Sequence, residues 1–386
     1  MRTAMIAGLL LLFPCFANDV VRIPVKKKGA GPLFQIHYGV QWGFMNRTGR
    51  TVIKPRFDDE GDFFEGLAKV RIGDWKWGYI DQTGHVAIAA QFDDAGDFSE
   101  GLAPVRLGHK WGFIDHAGKF VIPPQFQAAA EFHEGLALIE VWTRYSYEGK
   151  TLSEDDAPRW AWRLHNHPPL GTGYGGPLDD RYGYVDLDGN IVIPPTFKDA
   201  QDFSNGRARI HVDGKEGYID NTGRTVIAPQ FDQAEQFSEG FAAVEVGTRA
   251  VGTRLVGARW GFIDTSGAFV ILPGFADVMS FSEGLAAVSL PGQRYGYIDK
   301  TGKFILPPIY DDAHQFSCGL ALVTSDDEED EYYIDKSGRK AFVSKLPAEW
   351  WFSDGLTVSD DKYIDRRGRI VAPYEIGPHL MQPRPQ

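Results

Sequence analysis

The chain has 386 residues, a formal net charge of −12 at pH 7, 43% hydrophobic residues, 44 glycines and 23 prolines. This composition is typical of a globular protein with many turns, and it excludes a disordered chain or a collagen. Because an acidic chain of this size repels phosphate backbones, we expect no nucleic-acid partner.

The N-terminus predicts a secretory signal peptide over residues 1–17. Arg2 provides a positive start, residues 4–14 are an apolar run too short to span a bilayer, and small residues precede Asn18. No other segment is apolar enough for a membrane span. We therefore expect an exported, periplasmic or extracellular protein with a linker over residues 18–31. A lipid anchor on Cys15 is less favoured, because Pro14 fits that motif poorly.

A pattern of about 35 residues recurs nine times in the rest of the chain. Aligned on one glycine, the copies are marked by Gly49, Gly84, Gly118, Gly189, Gly223, Gly267, Gly302, Gly338 and Gly368. Two longer spacings correspond to one repeat plus an insertion. Such a period is typical of solenoids, propellers and arrays, so residues 32–375 are predicted to form a single repeat domain.

Each repeat predicts three short strands, as in the copy that begins at Trp111. Residues 111–115 (WGFID) form the WG strand, and residues 119–122 (KFVI) form the return strand. Asp115 and Gly118 predict a tight turn between them, because Gly accepts positive φ and Asp bonds nearby backbone. A connector with two aromatic residues six positions apart follows. It leads through an FSEG loop into the LA strand (LAxV), which turns directly into the next WG strand.

The recurring aromatic and branched residues are interpreted as core, because each repeat must bury one face against its neighbours. The tryptophans in this group are Trp42, Trp77, Trp111 and Trp260. In other copies Tyr182, Glu216, Tyr295, Tyr332 and Lys362 are assigned to the tryptophan position, and the last two copies also lack the following glycine. We interpret that glycine as allowing close backbone approach where strands cross.

The two recurring blocks, WGFIDxxGKxVIxPxF and FSEGLAxV, resemble the WG (KWG) repeat family of bacterial proteins over roughly residues 32–375. The resemblance implies an all-β repeat scaffold with an interaction role. It implies no catalytic residues, because the family motif is structural.

The ends of the chain bear on whether the repeats close into a ring. Residues 33–42 have the spacing of an LA strand and the start of a WG strand, whereas residues 363–371 are a WG strand and a return strand. An LA strand left over at one end would complete the last repeat at the other, as in closed propellers. The predicted fold is therefore all-β, with a propeller-like ring favoured over an open β-array or solenoid.

Two insertions, at about residues 143–181 and 246–258, are candidates for binding because insertions in repeat proteins often lie on the binding face. The first contains side chains of the types that dominate interfaces, namely Trp160, Trp162, Arg163, His165, His167 and Tyr174. We predict that they contact a protein or carbohydrate partner. The alternative is a surface hairpin that packs its aromatic residues on its own repeats.

Neither a metal site nor an active site is predicted. His165 and His167 are two imidazoles without a third ligand, and no strand-to-helix phosphate loop is present in the sequence. Carboxylates that recur in every repeat cannot mark a single active centre. We therefore expect a non-catalytic scaffold without a cofactor, ending in a disordered tail over residues 376–386. The alternatives are a glycan-active enzyme with acidic groove residues and a self-associating surface protein.

Overall fold

The computed structural model describes residues 31–73, 75–142, 145–147, 150–152, 180–247, 249–251, 254–325, 328–343, 352–359 and 362–373. These residues form eleven antiparallel sheets and no helix: nine sheets are the blades of a closed β-propeller, and two are short two-stranded hairpins. The predicted signal peptide, most of the linker and the tail lie outside the described residues.

The strands follow one another in chain order. Blade 1 contains β1 (Leu33–Tyr38), β2 (Gln41–Asn46) and β3 (Thr51–Phe57). Blade 2 contains β4 (Asp59–Phe64), β5 (Leu67–Ile72), β6 (Lys76–Asp81) and β7 (Val86–Phe92). Blade 3 contains β8 (Asp94–Ala95), β9 (Leu102–Leu107), β10 (Lys110–Asp115) and β11 (Phe120–Phe126). Blade 4 contains β12 (Ala128–His133), β13 (Leu136–Trp142), β16 (Asp180–Asp186) and β17 (Ile191–Phe197), with the separate hairpin of β14 (Tyr145–Tyr147) and β15 (Lys150–Leu152) between its two middle strands.

Blade 5 contains β18 (Ala208–Val212), β19 (Lys215–Ile219) and β20 (Thr225–Phe231). Blade 6 contains β21 (Gln233–Ala234), β22 (Phe241–Val246), β25 (Arg259–Asp264) and β26 (Phe269–Phe275). The separate hairpin of β23 (Arg249–Val251) and β24 (Arg254–Val256) lies between β22 and β25. Blade 7 contains β27 (Asp277–Val278), β28 (Leu285–Ser289), β29 (Tyr295–Asp299) and β30 (Phe304–Tyr310). Blade 8 contains β31 (Asp312–Ala313), β32 (Leu320–Ser325), β33 (Glu328–Asp335) and β34 (Lys340–Val343). Blade 9 contains β35 (Leu356–Ser359), β36 (Lys362–Asp365) and β37 (Ile370–Pro373).

A full blade has four strands, one more than the three predicted from the sequence. In blade 3 the order across the sheet is connector strand (β8), LA strand (β9), WG strand (β10) and return strand (β11). The connector strand is only two residues long in four of the blades, which is how about 35 residues provide four strands. In blade 5 its place is taken by a single bridge between Ala200 and Ile210.

The core lies between neighbouring blades. The most deeply buried aromatic residue is the one two positions after the tryptophan of the WG strand. Its members, all 0% exposed, are Phe44, Tyr79, Phe113, Tyr184, Tyr218, Phe262, Tyr297 and Tyr333. Each packs edge-on or tilted against an aromatic residue of the connector or the segment after it, as in Tyr79 and Phe98, whose ring centroids are 4.9 Å apart. Trp260 is buried, whereas Trp42, Trp77 and Trp111 are half-buried at the start of their strands.

The turn between WG and return strands repeats one hydrogen-bond pattern. Asp264, for example, accepts hydrogen bonds from the backbone N–H groups of Ser266 (2.9 Å) and Ala268 (3.1 Å) and from the Ser266 hydroxyl (2.6 Å). The Ser266 hydroxyl bond is the largest of the effects that lower the pKa of this carboxyl.

The turn glycines also contact the preceding blade. All nine have φ between +70° and +88°. A Cβ on Gly84 would lie 3.1 Å from Ile53 of the preceding blade, and one on Gly118 would lie 2.9 Å from Ile88. The turn therefore requires glycine for its backbone conformation and for the space beside the preceding blade.

Closure of the ring does not use the strand exchange that the sequence suggested. The LA strand β1 pairs with β2 in its own blade, and blade 9 has an LA strand of its own, β35. Blades 9 and 1 close the ring by side-chain packing instead, through a cluster formed by Phe34, Ile36, Met45, Leu356, Tyr363 and Ala372. Gly49 packs on blade 9 as the other turn glycines pack on their preceding blades, and a Cβ at Gly49 would lie only 2.6 Å from the Val371 carbonyl oxygen.

Candidate binding face

The ring has two faces that carry different loops. Because every blade has the same antiparallel strand order, all hairpins between an LA strand and a WG strand emerge on one side, here named the hairpin face. The FSEG loops and the turns between WG and return strands emerge on the other, the turn face. Both insertions therefore belong to the hairpin face.

Recurring acidic residues of the turn face link the blades. In six FSEG loops, a side chain accepts a hydrogen bond of 2.7 to 3.0 Å from a glycine N–H of the next blade. The linked pairs are Glu65–Gly101, Glu100–Gly135, Glu134–Gly206, Asn205–Gly240, Glu239–Gly284 and Glu283–Gly319. Lys300 and Lys336 contact two of the same carboxylates, at 3.1 and 3.0 Å. Five carboxylates and the Asn205 amide thus hold neighbouring blades together.

The predicted partner-binding residues Trp160, Trp162, Arg163, His165, His167 and Tyr174 lie outside the described residues. The structure does describe where their insertion begins and ends. Trp142 at the end of β13 pairs with Asp180 at the start of β16, so the insertion leaves and re-enters between paired residues. The same holds for the second insertion, which lies between the paired residues Val246 and Arg259. Both insertions leave the sheets intact.

A buried polar cluster lies where the first insertion joins blade 4. Glu140 is 3% exposed, its backbone carbonyl accepts a hydrogen bond from the N–H of Gln127 (3.0 Å), and it pairs across the sheet with Tyr182. Burial, together with the charges of Glu140 and Asp180, raises the pKa of Tyr182 to about 12. Gln127 is 7% exposed, and within the described part of the chain its side-chain amide has no hydrogen-bond partner. The hydroxyl of Tyr182 is therefore neutral at the base of the insertion.

The most exposed aromatic residue described on the hairpin face is Trp75, which the sequence interpretation missed. The residue is 76% exposed, and its φ is +59° in the hairpin between β5 and β6. The corresponding hairpin of blade 5 has Gly214 directly before the WG strand, with φ +80°. A bulky residue in this conformation costs about 1 kcal/mol or more relative to glycine. The signal in the sequence was a tryptophan in a hairpin outside the repeating tryptophan position.

Arg71 lies between Trp75 and the repeat tryptophan of the same blade. Its guanidinium carbon is 4.5 Å from the ring centroid of Trp75 and 5.7 Å from that of Trp77. The guanidinium also forms a salt bridge of 3.2 Å with Asp59, whose side chain is 42% exposed. Stacking on two rings and pairing with a carboxylate hold the guanidinium in one orientation.

In blades 1 to 3, a cationic or imidazole side chain lies beside the repeat tryptophan of the WG strand. His37 contacts Trp42 with ring centroids 5.0 Å apart, and Arg106 lies 6.0 Å from the ring of Trp111. In blade 5 the tryptophan is replaced by Glu216, which is 7% exposed and lies 3.4 Å from Arg209. The tryptophans that face cationic or imidazole side chains are thus concentrated on one arc of the hairpin face.

Within the described ranges, no group of three His, Cys, Asp or Glu side chains is arranged to hold a metal ion. The same part of the chain contains no helix suited to crossing a membrane.

Comparison with solved structures relates the chain to other proteins by fold. A eukaryotic initiation factor structure has a TM-score of 0.51 and 12% identity, with 88% of this chain and 94% of that chain covered. The computationally designed Ika8 protein (TM-score 0.38, 10% identity, covering 81% and 93%) and BamB from Moraxella catarrhalis (TM-score 0.36, 11% identity, covering 79% and 87%) are more distant. A search of curated proteins found no match.

The family described as "WG containing repeat" matches seven segments: residues 42–74, 77–111, 111–141, 182–215, 217–247, 260–290 and 295–328. The matched segments run from the WG strand of blade 1 to the start of β33 in blade 8, and together they exceed half of the chain. This chain belongs to the family of proteins built from WG-containing repeats.

Proposed function

We propose that this protein is an exported, non-catalytic β-propeller that binds a protein or carbohydrate partner through its hairpin face. The proposal rests on which loops lie on each face of the ring. Both insertions and the exposed Trp75 occur on the hairpin face, whereas the carboxylates of the FSEG loops on the opposite face are used to link blades. Tryptophan and arginine are the residue types that most often dominate binding energy.

Substitution of Trp160 and Trp162 by alanine is expected to weaken partner binding at least roughly tenfold, because large aromatic side chains contribute most of an interface's affinity. The mature chain, residues 18–386, would be used to capture partners from an envelope and culture-supernatant extract, and the affinity of each captured partner would then be measured with both forms. Leu272→Ala, in the return strand of blade 6 and 75% exposed, is the matched surface control. Equal affinity of the double variant and the control for every partner would contradict the assignment of these tryptophans.

Export is expected to remove residues 1–17, so the intact mass of the exported protein should correspond to a chain that starts at Asn18. A mass that includes the full N-terminus would contradict this part of the proposal. A lipid on Cys15 would instead appear as a mass increase and as detergent-dependent solubility.

A further inference from the structure

We propose that Trp75, Arg71 and Asp59 form a saccharide subsite on the hairpin face. In this site the indole of Trp75 stacks on the C–H face of a pyranose ring, and the guanidinium and carboxylate bind its hydroxyl groups. The inference rests on the proposed function, since it assigns a ligand class to the same face.

Folding does not explain the presence of Trp75. Trp75 is 76% exposed, so burial contributes little to holding it there. Its φ of +59° is a conformation that glycine adopts without strain, as Gly214 does in blade 5. Strained residues of this kind concentrate at functional sites such as ligand clamps, where the strain is part of the mechanism.

Polar groups beside the indole are held in position before a ligand arrives. Arg71 is stacked at 4.5 Å from Trp75 and is paired at 3.2 Å with Asp59. The guanidinium offers N–H donors in a plane, and the carboxylate, 42% exposed, offers acceptors. The guanidinium is a fixed donor, the carboxylate is an accessible acceptor, and both lie next to the apolar indole ring. This arrangement matches a sugar ring, which has a C–H face and hydroxyl groups around its edge.

The charges narrow the ligand class further. Asp59 neutralises Arg71, and the chain as a whole has a net charge of −12, so an anionic ligand would gain little at this site. An indole that is mostly in solvent also suits a flat ring better than a side chain that needs an enclosing pocket. The chemistry therefore favours a neutral glycan with equatorial substituents, such as a β-linked chain.

The test uses the mature chain and two neutral β-1,4-linked probes, cellohexaose and chitohexaose, with binding followed by calorimetry and tryptophan fluorescence. The unsubstituted protein should bind at least one probe. Trp75→Gly should lower that affinity roughly tenfold or more, since it removes the stacking surface. This variant is informative because glycine suits the backbone at position 75, so its thermal midpoint should not fall. Leu272→Ala should bind within about twofold of the unsubstituted protein, as expected for a distant surface change.

Two results would overturn the saccharide subsite: no binding of either hexasaccharide, or equal affinity in Trp75→Gly. If neither sugar binds but Trp75→Gly loses a protein partner captured in the experiment above, the ligand at this site is a protein. In that case the proposed function survives and the saccharide assignment does not. Loss of capture in the Trp160/Trp162 variant with retained sugar binding would instead separate the two sites on this face.

Discussion

Gly112→Ala is expected to destabilise the propeller by about 3 kcal/mol or more, although it adds a single methyl group in the middle of a strand. A Cβ at this position would lie 2.5 Å from the carbonyl oxygen of Ile122, 2.6 Å from the nitrogen of Pro124 and 2.7 Å from the carbonyl carbon of Pro123. All three atoms are backbone, so no side-chain rotation can relieve the contact.

The contact arises from the way the return strand crosses the WG strand. Trp111 pairs with Phe126 and Phe113 pairs with Ile122, so three residues of the return strand bulge over the single residue Gly112. The glycine after the tryptophan position makes the same close contact in six other blades, at Gly43, Gly78, Gly183, Gly217, Gly261 and Gly296. The strand crossing that the sequence suggested is therefore the reason for the glycine in the WG motif.

Blades 8 and 9 support this explanation from within the chain. The register places Tyr332 and Lys362 at the position of the glycine, which corrects their assignment to the tryptophan position. In both blades the return strand pairs without the bulge, as Tyr332–Val343 follows directly on Tyr333–Phe342. Where a larger residue replaces the glycine, the crossing is absent.

Gly274→Ala is the matched control, because it adds the same methyl group to a return strand of blade 6. Gly274 has no positive φ, and the nearest atom to a Cβ at this position would be 3.9 Å away, so we expect a change within about 0.5 kcal/mol. Urea denaturation of both variants measures the difference. A Gly112→Ala protein as stable as Gly274→Ala would show that the strand crossing is not rigid.

Removal of the Glu60 carboxyl is expected to stabilise the protein at alkaline pH. Glu60 lies in the connector strand β4, opposite Val70, at a position where Ala95, Ala200, Ala234 and Ala313 are buried in other blades. Burial, reinforced by Asp59 and Asp62, raises the pKa of Glu60 to about 9. Among the described residues its Oε2 atom has no hydrogen-bond partner.

The direction of the pH effect follows from the two pKa values of this carboxyl. Its pKa is raised from 4.5 in the unfolded chain to about 9 in the folded protein. Because the folded state retains the proton longer, the stability contribution is fully present below pH 4.5 and is lost as the pH rises toward 9. Between pH 5 and pH 8 this loss amounts to roughly 4 kcal/mol.

Denaturation of the unsubstituted protein, Glu60→Ala and Glu60→Gln at pH 5 and pH 8 tests this prediction. Both variants should lose the pH dependence that is due to Glu60, and the alanine variant should be the more stable at pH 8 because it matches the other blades. Glu60→Gln is the control for side-chain size, since it keeps the shape without the titrating proton. An identical pH slope in all three proteins would assign the slope to other groups.

Several features were predictable from the sequence because they depend on residues within one repeat. The turn at Asp115 and Gly118 and the WG, return and LA strands involve neighbours in the chain, so a repeating pattern reveals them. The connector strand was missed because a two-residue strand such as Asp94–Ala95 carries no periodicity, and its pairing with Val105 and Arg106 is a tertiary contact. Trp75 was missed as a binding candidate because it lies in a hairpin of ordinary length, and its exposure is set by the tertiary structure.

The sequence by itself determined that this chain is all-β, that its repeating unit of about 35 residues occurs nine times, and that it belongs among WG-containing repeats. These properties follow from local strand and turn chemistry repeated along the chain. Only the tertiary structure decided that the ring closes by packing of Phe34 and Met45 on Tyr363 and Leu356, and that both insertions share a face with Trp75. Closure joins residues more than 300 positions apart, and the shared face follows from the order of strands in each sheet.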